Sequence, residues 1–371
     1  MHKHQKTDLH KKPNLKNTPI MGVFLSPFSL WAKIGGILIK TISNIMTKIS
    51  VLVPIYNVEK YLDECLASLK AQTLNDVEFI CINDVSTDGS LSILKKYAKK
   101  DARFSIIDKK NSGYGDSMNK GLRAAKGKYI AILESDDFLE KDALERLFEV
   151  AEKHKADIVR ANYFYHSEKG DEVHASIKQQ KLDEPISILE DPNILYEEPA
   201  IWSAIYKRCF LTKNKINFLP SPGASYQDTS FNFKALCSAE RIVYLMDAFL
   251  HYRVDNANSS VKSLEKVMCV TNEFAEIEKF FAENGIAEEL AYIEQAAKFG
   301  AYHWNLQRLD RKNGLKFLKN IKEEFEIAQG KDLLKKEFFP RRWWIALRAI
   351  LCLPPKLAFA LLSFRIRLAK H

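Results

Sequence analysis

The sequence predicts an α/β fold: a doubly wound, mostly parallel sheet with a C-terminal helical subdomain and a basic amphipathic tail. Three observations predict it. Short β-branched runs alternate with amphipathic helical stretches from Lys48 to about Phe164. Residues 261–330 are rich in helix formers with periodic apolar positions. The chain, 371 residues at 46% hydrophobic, is long enough to bury a sizeable core as one large domain or two modest ones, which excludes disorder for most of it.

"KISVLVPIYN" is a buried strand ending near Pro54. Val58, Tyr61, Leu62, Cys65, Leu66 and Leu69 then recur at helical spacing, with Asn57 placed as an N-cap. "VEFICIN" is a second strand, followed by the turn "DVSTDGS" and a helix through Lys100. "RFSIID" is a third, followed by a glycine-rich turn and a helix to about Lys126. "KYIAILE" is a fourth, followed by a helix over residues 139–155, and "ADIVRANYF" is a fifth. After about Tyr165 the alternation is lost.

In parallel sheets ligands bind outside the carboxyl ends of the strands. Asp84, Gly113 and the run Glu134, Asp136, Asp137 all fall just after a strand. Three carboxylates within four residues repel one another, so three readings stay open: a divalent cation held by hard oxygens, a helix N-terminus near Phe138, or water. Asp84 suits either a ligand's N–H or a turn of its own. Gly113 and Gly115 open a helix whose amides suit a phosphate, and Tyr56 suits either a stacked base or packing under a loop.

Residues 1–48 carry eight Lys/Arg against Asp8 alone, and residues 335–371 carry nine against Glu337 alone. The formal net charge is +9, so the body stands at −6. The basic character belongs to the two ends, which argues against a nucleic-acid face and for an anionic membrane surface. Neither end carries a clean membrane span or a cleavage pattern. "RRWWIALRAILCLPPKLAFALL" interleaves Trp343, Trp344, Leu347, Ile350 and Leu351 with Arg341, Arg342 and Arg348, and suits either a membrane-interface helix or a helix packed on the domain. The six cysteines show no metal spacing and read as buried free thiols of a reducing cytosol.

In this order and spacing, "SVLVPIYNVEKYLDECLASLKAQT", "FICINDVSTDGS" and "NSGYGDSMNKGLRAAKGKYIAILESDDFLE" resemble the nucleotide-binding half of family 2 glycosyltransferases, the inverting enzymes of GT-A fold. From "PAIWSAIYKRCF" through "PGASYQDTSFNF" to "LHYRVDNANSSV" the likeness continues more loosely, toward bacterial members that build capsule or lipopolysaccharide sugar chains. The resemblance implies that Pro54 and Tyr56 cradle the nucleobase and that Asp84 binds it. Glu134, Ser135 and Asp136 then occupy the family's D-x-D, with Asp136 reaching a Mn2+ or Mg2+ ion that bridges the donor diphosphate, and Asp228 is the catalytic base. Arg253 and His251 suit closing over the diphosphate, with His251 either a further metal ligand or a satisfied loop histidine; Trp202 suits either the acceptor-site floor or a buried position, and Asp228 also suits a helix N-cap before "TSFNF".

Glu134 stands where Asp is commoner, Gln227 replaces the usual Glu before the base, and Val85 replaces a common Gly after Asp84. The expected organisation is a basic extension over 1–47, a GT-A domain over 48–260 divided near 164 into donor and acceptor halves, a helical subdomain over 261–334, and a membrane-interface tail over 335–371. The implied partners are a nucleotide-sugar donor and a saccharide or lipid-linked saccharide acceptor, met on the cytoplasmic face of the membrane. A membrane-attached binding protein without transferase activity is the alternative.

Overall fold

The computed structural model describes residues 47–177, 182–256 and 267–368, with side chains to residue 362. Apart from position 47, the basic N-terminal extension lies outside the described residues.

The four expected strands form where the β-branched runs stand: β1 (Ile49–Ile55), β2 (Val77–Asn83), β3 (Phe104–Asp108) and β4 (Tyr129–Ile132). They pair in parallel in the order β3-β2-β1-β4. β1 lies between two neighbours and is buried at every position, which is why its run is apolar without alternation. The crossovers carry α1 (Glu59–Lys70), α2 (Ser90–Lys100) and α3 (Tyr114–Ala124).

Beyond β4 the sheet becomes mixed. The fifth strand, β6 (Ile158–Ser167), does not sit beside β4, because β8 (Ala204–Lys207) lies between them and runs antiparallel to both. β6 also pairs in parallel with β9 (Ile242–Arg253) and forms a hairpin with β7 (Gly170–His174). A two-residue strand, β5 (Phe138–Leu139), pairs antiparallel with β9. That pairing and the Glu140 N–H to Phe249 O bond of 2.8 Å hold residues 138–140 extended, so the helix expected from residue 139 starts later, as α4 (Ala143–His154).

Asn57 does not cap α1. Its φ is +52°, Val58 is the cap residue, and the free amides of Val58 and Glu59 donate to Ser90 Oγ (3.1 Å) and Asp88 Oδ2 (3.0 Å). The next turn therefore supplies the acceptors that the sequence assigns to Asn57.

α5 (Arg208–Lys213) and α6 (Gln227–Ser238) flank β8 and β9 in sequence. α7 (Cys269–Asn284), α8 (Glu288–Leu306) and α9 (Arg311–Gly330) form the helical region, followed by α10 (Arg341–Cys352) and α11 (Pro355–Leu368).

The tail corrects one expectation. Ala346, Leu347 and Ile350 are buried, and Trp343 packs edge-on against Tyr196 at 5.8 Å and over Gly300, where a Cβ would stand 2.2 Å from its ring. The Trp343-Leu347-Ile350 stripe thus faces protein and not lipid, since the helical region offers it an apolar surface to cover. Arg341, Arg342, Ile345, Arg348, Lys356, Leu357 and Leu361 face outward. No helix among the described residues is long and apolar enough to cross a membrane. All six cysteines are free, but only Cys65 and Cys81 are buried; Cys209 and Cys352 are exposed, so the expectation of six buried thiols does not hold.

Candidate active site

β4 runs beside β1 as far as Leu52 and Ile132, and Leu133 N–H donates to Leu52 O at 3.0 Å. The chain then turns, closed by Asp137 N–H to Glu134 O at 3.1 Å, and crosses to β9 through Phe138. The acidic turn is therefore the hinge between the parallel strands and the mixed part of the sheet. Phe138 pairs with His251, which brings Arg253 up to the acids. Arg253 N–H donates to Asp137 Oδ1 (2.8 Å), its Nε–H to Asp136 O (2.9 Å), and its terminal nitrogen meets Glu64 at 2.5 Å over the Tyr61 ring.

The turn is electrostatically loaded. Burial, with the charges of Asp136 and Asp228, raises Glu134 to about 8, against the pull of the Tyr114 hydroxyl that donates to it at 2.6 Å. Burial and the neighbouring Asp136 also push Asp137 well above the usual carboxylate range, and its Oδ2 is buried without a hydrogen-bond partner. Asp136 Oδ2 accepts from Asn256 Nδ2 at 2.7 Å. Among the described residues the turn's carboxylates do not form a three-ligand metal group; what fits a divalent cation is Asp136 with the orphaned, buried Asp137 Oδ2 beside it.

Asp228 lies in the first turn of α6. Burial and the Glu198 charge raise it to about 7, while Thr229 N–H donates to its Oδ1 at 2.8 Å. It does not cap α6: that position is Tyr226, held at φ +62°, an unusual conformation for a bulky residue. Tyr226 is braced by its hydroxyl on Asn305 Oδ1 of α8 at 2.7 Å, which ties the helical region to the turn carrying Asp228. Gln227 donates to Ser221 Oγ (2.7 Å) and Gly223 O (3.2 Å) and accepts from Ser225 N–H (2.6 Å). The amide closes this loop as a charged Glu, lacking donors, would not.

α3 spaces the two acidic groups. Tyr114 feels both Glu134 and Asp228, which with its burial push its hydroxyl well above the usual range. Asn119 clamps Phe218 through a reciprocal pair of 2.9 Å bonds, fixing the loop that leads to Asp228.

Asp84 accepts from Lys109 Nζ (2.5 Å), Ser112 N–H (3.1 Å) and Gly113 N–H (3.1 Å). A carboxylate has about four acceptor sites, so one is left for a ligand donor. The phosphate reading of Gly113 does not survive, because its amide and that of Tyr114 are turned onto Asp84 and Gly223 O. Gly113 is needed for its φ of +88° and because a Cβ would stand 2.6 Å from Ser221 O. Val85, where the family often has Gly, is at φ +55°, a conformation that costs a β-branched residue about 1–2 kcal/mol.

Pro54 is buried in β1, whereas Tyr56 is half exposed. A cleft of about 510 Å3 runs from Tyr56 past Tyr61 and Asp88 to Asn256, the residue bonded to Asp136. Of the expected donor residues only Tyr56 lines it; Pro54, Asp84, Gly113 and the acidic turn do not, and Asn256 is its one neighbour of Asp136.

Two expectations are corrected. Trp202 is buried, its ring stacked on Tyr252 at 4.9 Å and set edge-on to Tyr163 at 4.4 Å, so it walls the site instead of offering a face to a sugar. His251 joins His166 and Asp171 and not Asp136, because Phe138 and Phe164 stack on its two faces at 4.2 and 4.6 Å. Tyr114, Lys109, Glu198, Asn256 and Asn305 escape sequence reading, since their roles come from contacts across 20 to 120 residues of chain.

A parallel sheet with an acidic turn at its carboxyl edge, running on into a mixed part and a helical region, has the form of a GT-A-type glycosyltransferase. The family profile described as Glycosyl transferase family 2 matches residues 50–214. The EpsH protein of Bacillus subtilis, named as a glycosyltransferase, is 34% identical over 224 residues, 59% of this chain and 64% of that one. Glycosyltransferase GlyG of Streptococcus pneumoniae is 30% identical over 218 residues, 55% of this chain and 70% of that one. Residues 1–349 of TarS from S. aureus, solved with UDP-GlcNAc, superpose with a TM-score of 0.55 at 23% identity, covering 82% of this chain and 90% of that one, a likeness of fold. The chain belongs to glycosyltransferase family 2. It spans a little under two thirds of EpsH, and 32% of glycosyltransferase GlyA of S. pneumoniae.

Proposed function

We propose that the protein is an inverting glycosyltransferase that moves a sugar from a UDP-sugar donor to a hydroxyl of a surface-polysaccharide or lipid-linked saccharide acceptor. The observation that carries this reading is Asp228, raised to about 7 and coupled through its charge to Glu134 of the acidic turn. A general base works best when its pKa lies near the operating pH. The UDP-GlcNAc named with TarS supports the donor class, and a relative named poly(ribitol-phosphate) beta-glucosyltransferase supports a polymer acceptor.

In this reading the nucleobase lies by Tyr56 and Asp84 offers it the remaining acceptor site. Asp136, with Asp137 beside it, would hold the divalent cation, which supplies charge stabilisation for the leaving diphosphate. Arg253 adds positive charge there. Asp228 takes the acceptor hydroxyl's proton as that oxygen bonds to the anomeric carbon. The anomeric bond to the diphosphate breaks on the opposite face, inverting the centre. Residues 48–164 would serve the donor and 165–260 the acceptor, with 261–334 bracing Asp228 through Asn305.

The test is nucleotide release from a panel of nucleotide sugars, with Mn2+ or with EDTA, in the presence of saccharide acceptors. Metal-dependent turnover of one donor supports the transferase. Nucleotide binding without turnover of any donor would leave the binding-protein reading. Peripheral attachment to the cytoplasmic membrane face rests on the basic ends and on the outward Arg341, Arg342 and Arg348. Co-sedimentation of R341E/R342E/R348E with anionic vesicles, equal to that of the unaltered chain, would remove the α10 face from it.

A further inference from the structure

His166 on β6, Asp171 on β7 and His251 on β9 bring one ligand atom each within 4.8 Å of one another. Asp171 stands between the two imidazoles, with Oδ1 at 2.7 Å from His166 Nδ1 and Oδ2 at 3.1 Å from His251 Nδ1. His251 is 6% exposed, and its Nε2 lies 3.0 Å from Glu140 Oε1. If that nitrogen carries the proton toward Glu140, Nδ1 presents a lone pair. Nδ1 is buried and lies 3.1 Å from Asp171 Oδ2, so with the proton on Nε2 alone two acceptors would face each other. The contact calls for a positive group between the two atoms, which either a second ring proton or a bound cation supplies.

The ring cannot turn away from this contact. Phe138 and Phe164 cover its faces nearly in parallel, at 8° and 18°. An imidazole fixed by a carboxylate on one nitrogen, with the other aimed at a second carboxylate, is the arrangement of a metal-ligating histidine and its supporting shell. His166 and Asp171 remain partly open to solvent, which leaves an entry path and a position for water.

We propose that His166, Asp171 and His251 bind a divalent transition metal of the zinc class, at a site separate from the acidic turn. Two imidazoles and one carboxylate suit Zn2+ and disfavour Mg2+, which takes oxygen ligands. The ion would take the place of a ring proton between Nδ1 and the carboxylate. It would tie the β6–β7 hairpin to β9 two residues before Arg253, the residue that reaches the acids.

The experiment is Zn2+ titration of the full chain by calorimetry, with melting temperature read in parallel. His2, His4 and His10 offer competing ligands, so the reading is the difference between variants. The unaltered chain and Asp136→Asn are expected to bind equally. Glu140→Gln should weaken binding about tenfold, and His166→Gln and Asp171→Asn by more, with loss of the Zn2+-induced rise in melting temperature. Undiminished binding by both His166→Gln and Asp171→Asn, or its loss in Asp136→Asn alone, overturns the proposal. Because the glycosyltransferase reading predicts the opposite dependence on Asp136, the two fail separately.

Discussion

Two groups of carboxylates, one in the helical region and one at the acidic turn, differ in the cation that meets them. In the helical region, Lys298 reaches Glu278 and Glu324 at 2.8 Å each and neighbours Glu294. Burial alone would lower Lys298, but the three carboxylates outweigh it and hold the ammonium above its usual value. At the acidic turn Glu134, Asp136 and Asp137 gather near Asp228, and among the described residues the cation hydrogen-bonded to the turn is Arg253, itself shared with Glu64. One group is gathered around a lysine; the other meets an arginine that Glu64 already shares, and burial holds protons on its acids instead. Buried acids by themselves therefore say little about function, and the nearest cation says more.

The largest expected effect is at the turn. Asp136→Asn should abolish transfer and Mn2+-dependent UDP binding while the melting temperature stays within about 2 °C, because the fold does not rely on that charge. Retained activity would make the turn another structural cluster. Lys298→Met should do the reverse, costing about 1–3 kcal/mol of stability by taking the nearby cation from the buried Glu294 and leaving the partly exposed Glu278 and Glu324 to water. Activity per folded molecule should survive. Denaturant titration decides, and an unchanged midpoint would erase the contrast.

Asp228→Asn comes next, lowering turnover about a hundredfold, or about 2.7 kcal/mol, with donor affinity nearly unchanged. Since a base must be deprotonated, turnover of the unaltered enzyme should rise with pH up to about 7 and then level. The variant should lose that inflection. If donor affinity falls and turnover persists, Asp228 binds and does not catalyse.

The smallest effect concerns stability against pH. Glu134, Glu273 and Glu294 stand at about 8 and Asp228 at about 7, all raised first by burial. The folded chain therefore holds these protons more tightly than the unfolded one. The stability they contribute is full below the unfolded carboxylate range and is lost as pH rises through 7 to 8. The melting temperature should fall by about 5 °C from pH 5.5 to 8.5, and Glu294→Gln should flatten the slope by removing one such group. A rising curve would contradict the burial of both clusters.

Much of this was legible in the residues. The acidic turn reads directly as charge stacked after an apolar strand, and Asp228 reads from "YQDTSF" once the order of segments is seen. Tyr114 and Glu198 carry no such signal, for a tyrosine in a glycine-rich turn and a glutamate before a proline are common anywhere. The tail reads with its periodicity right and its partner wrong. An apolar stripe specifies that something must be covered, and Trp343 covers Gly300.

By itself the sequence determined the four parallel strands, their helices and the acidic turn's place at their carboxyl edge, because hydrophobic periodicity and turn chemistry are local. Only the tertiary structure decided that β8 enters between β4 and β6. It also decided that Gly113 serves Asp84 instead of a phosphate, and that His251 turns to His166 and Asp171. The physical reason is the same in each case: pairing partners, the direction of an amide and the tilt of a ring depend on groups distant in the chain, which no spacing along it records.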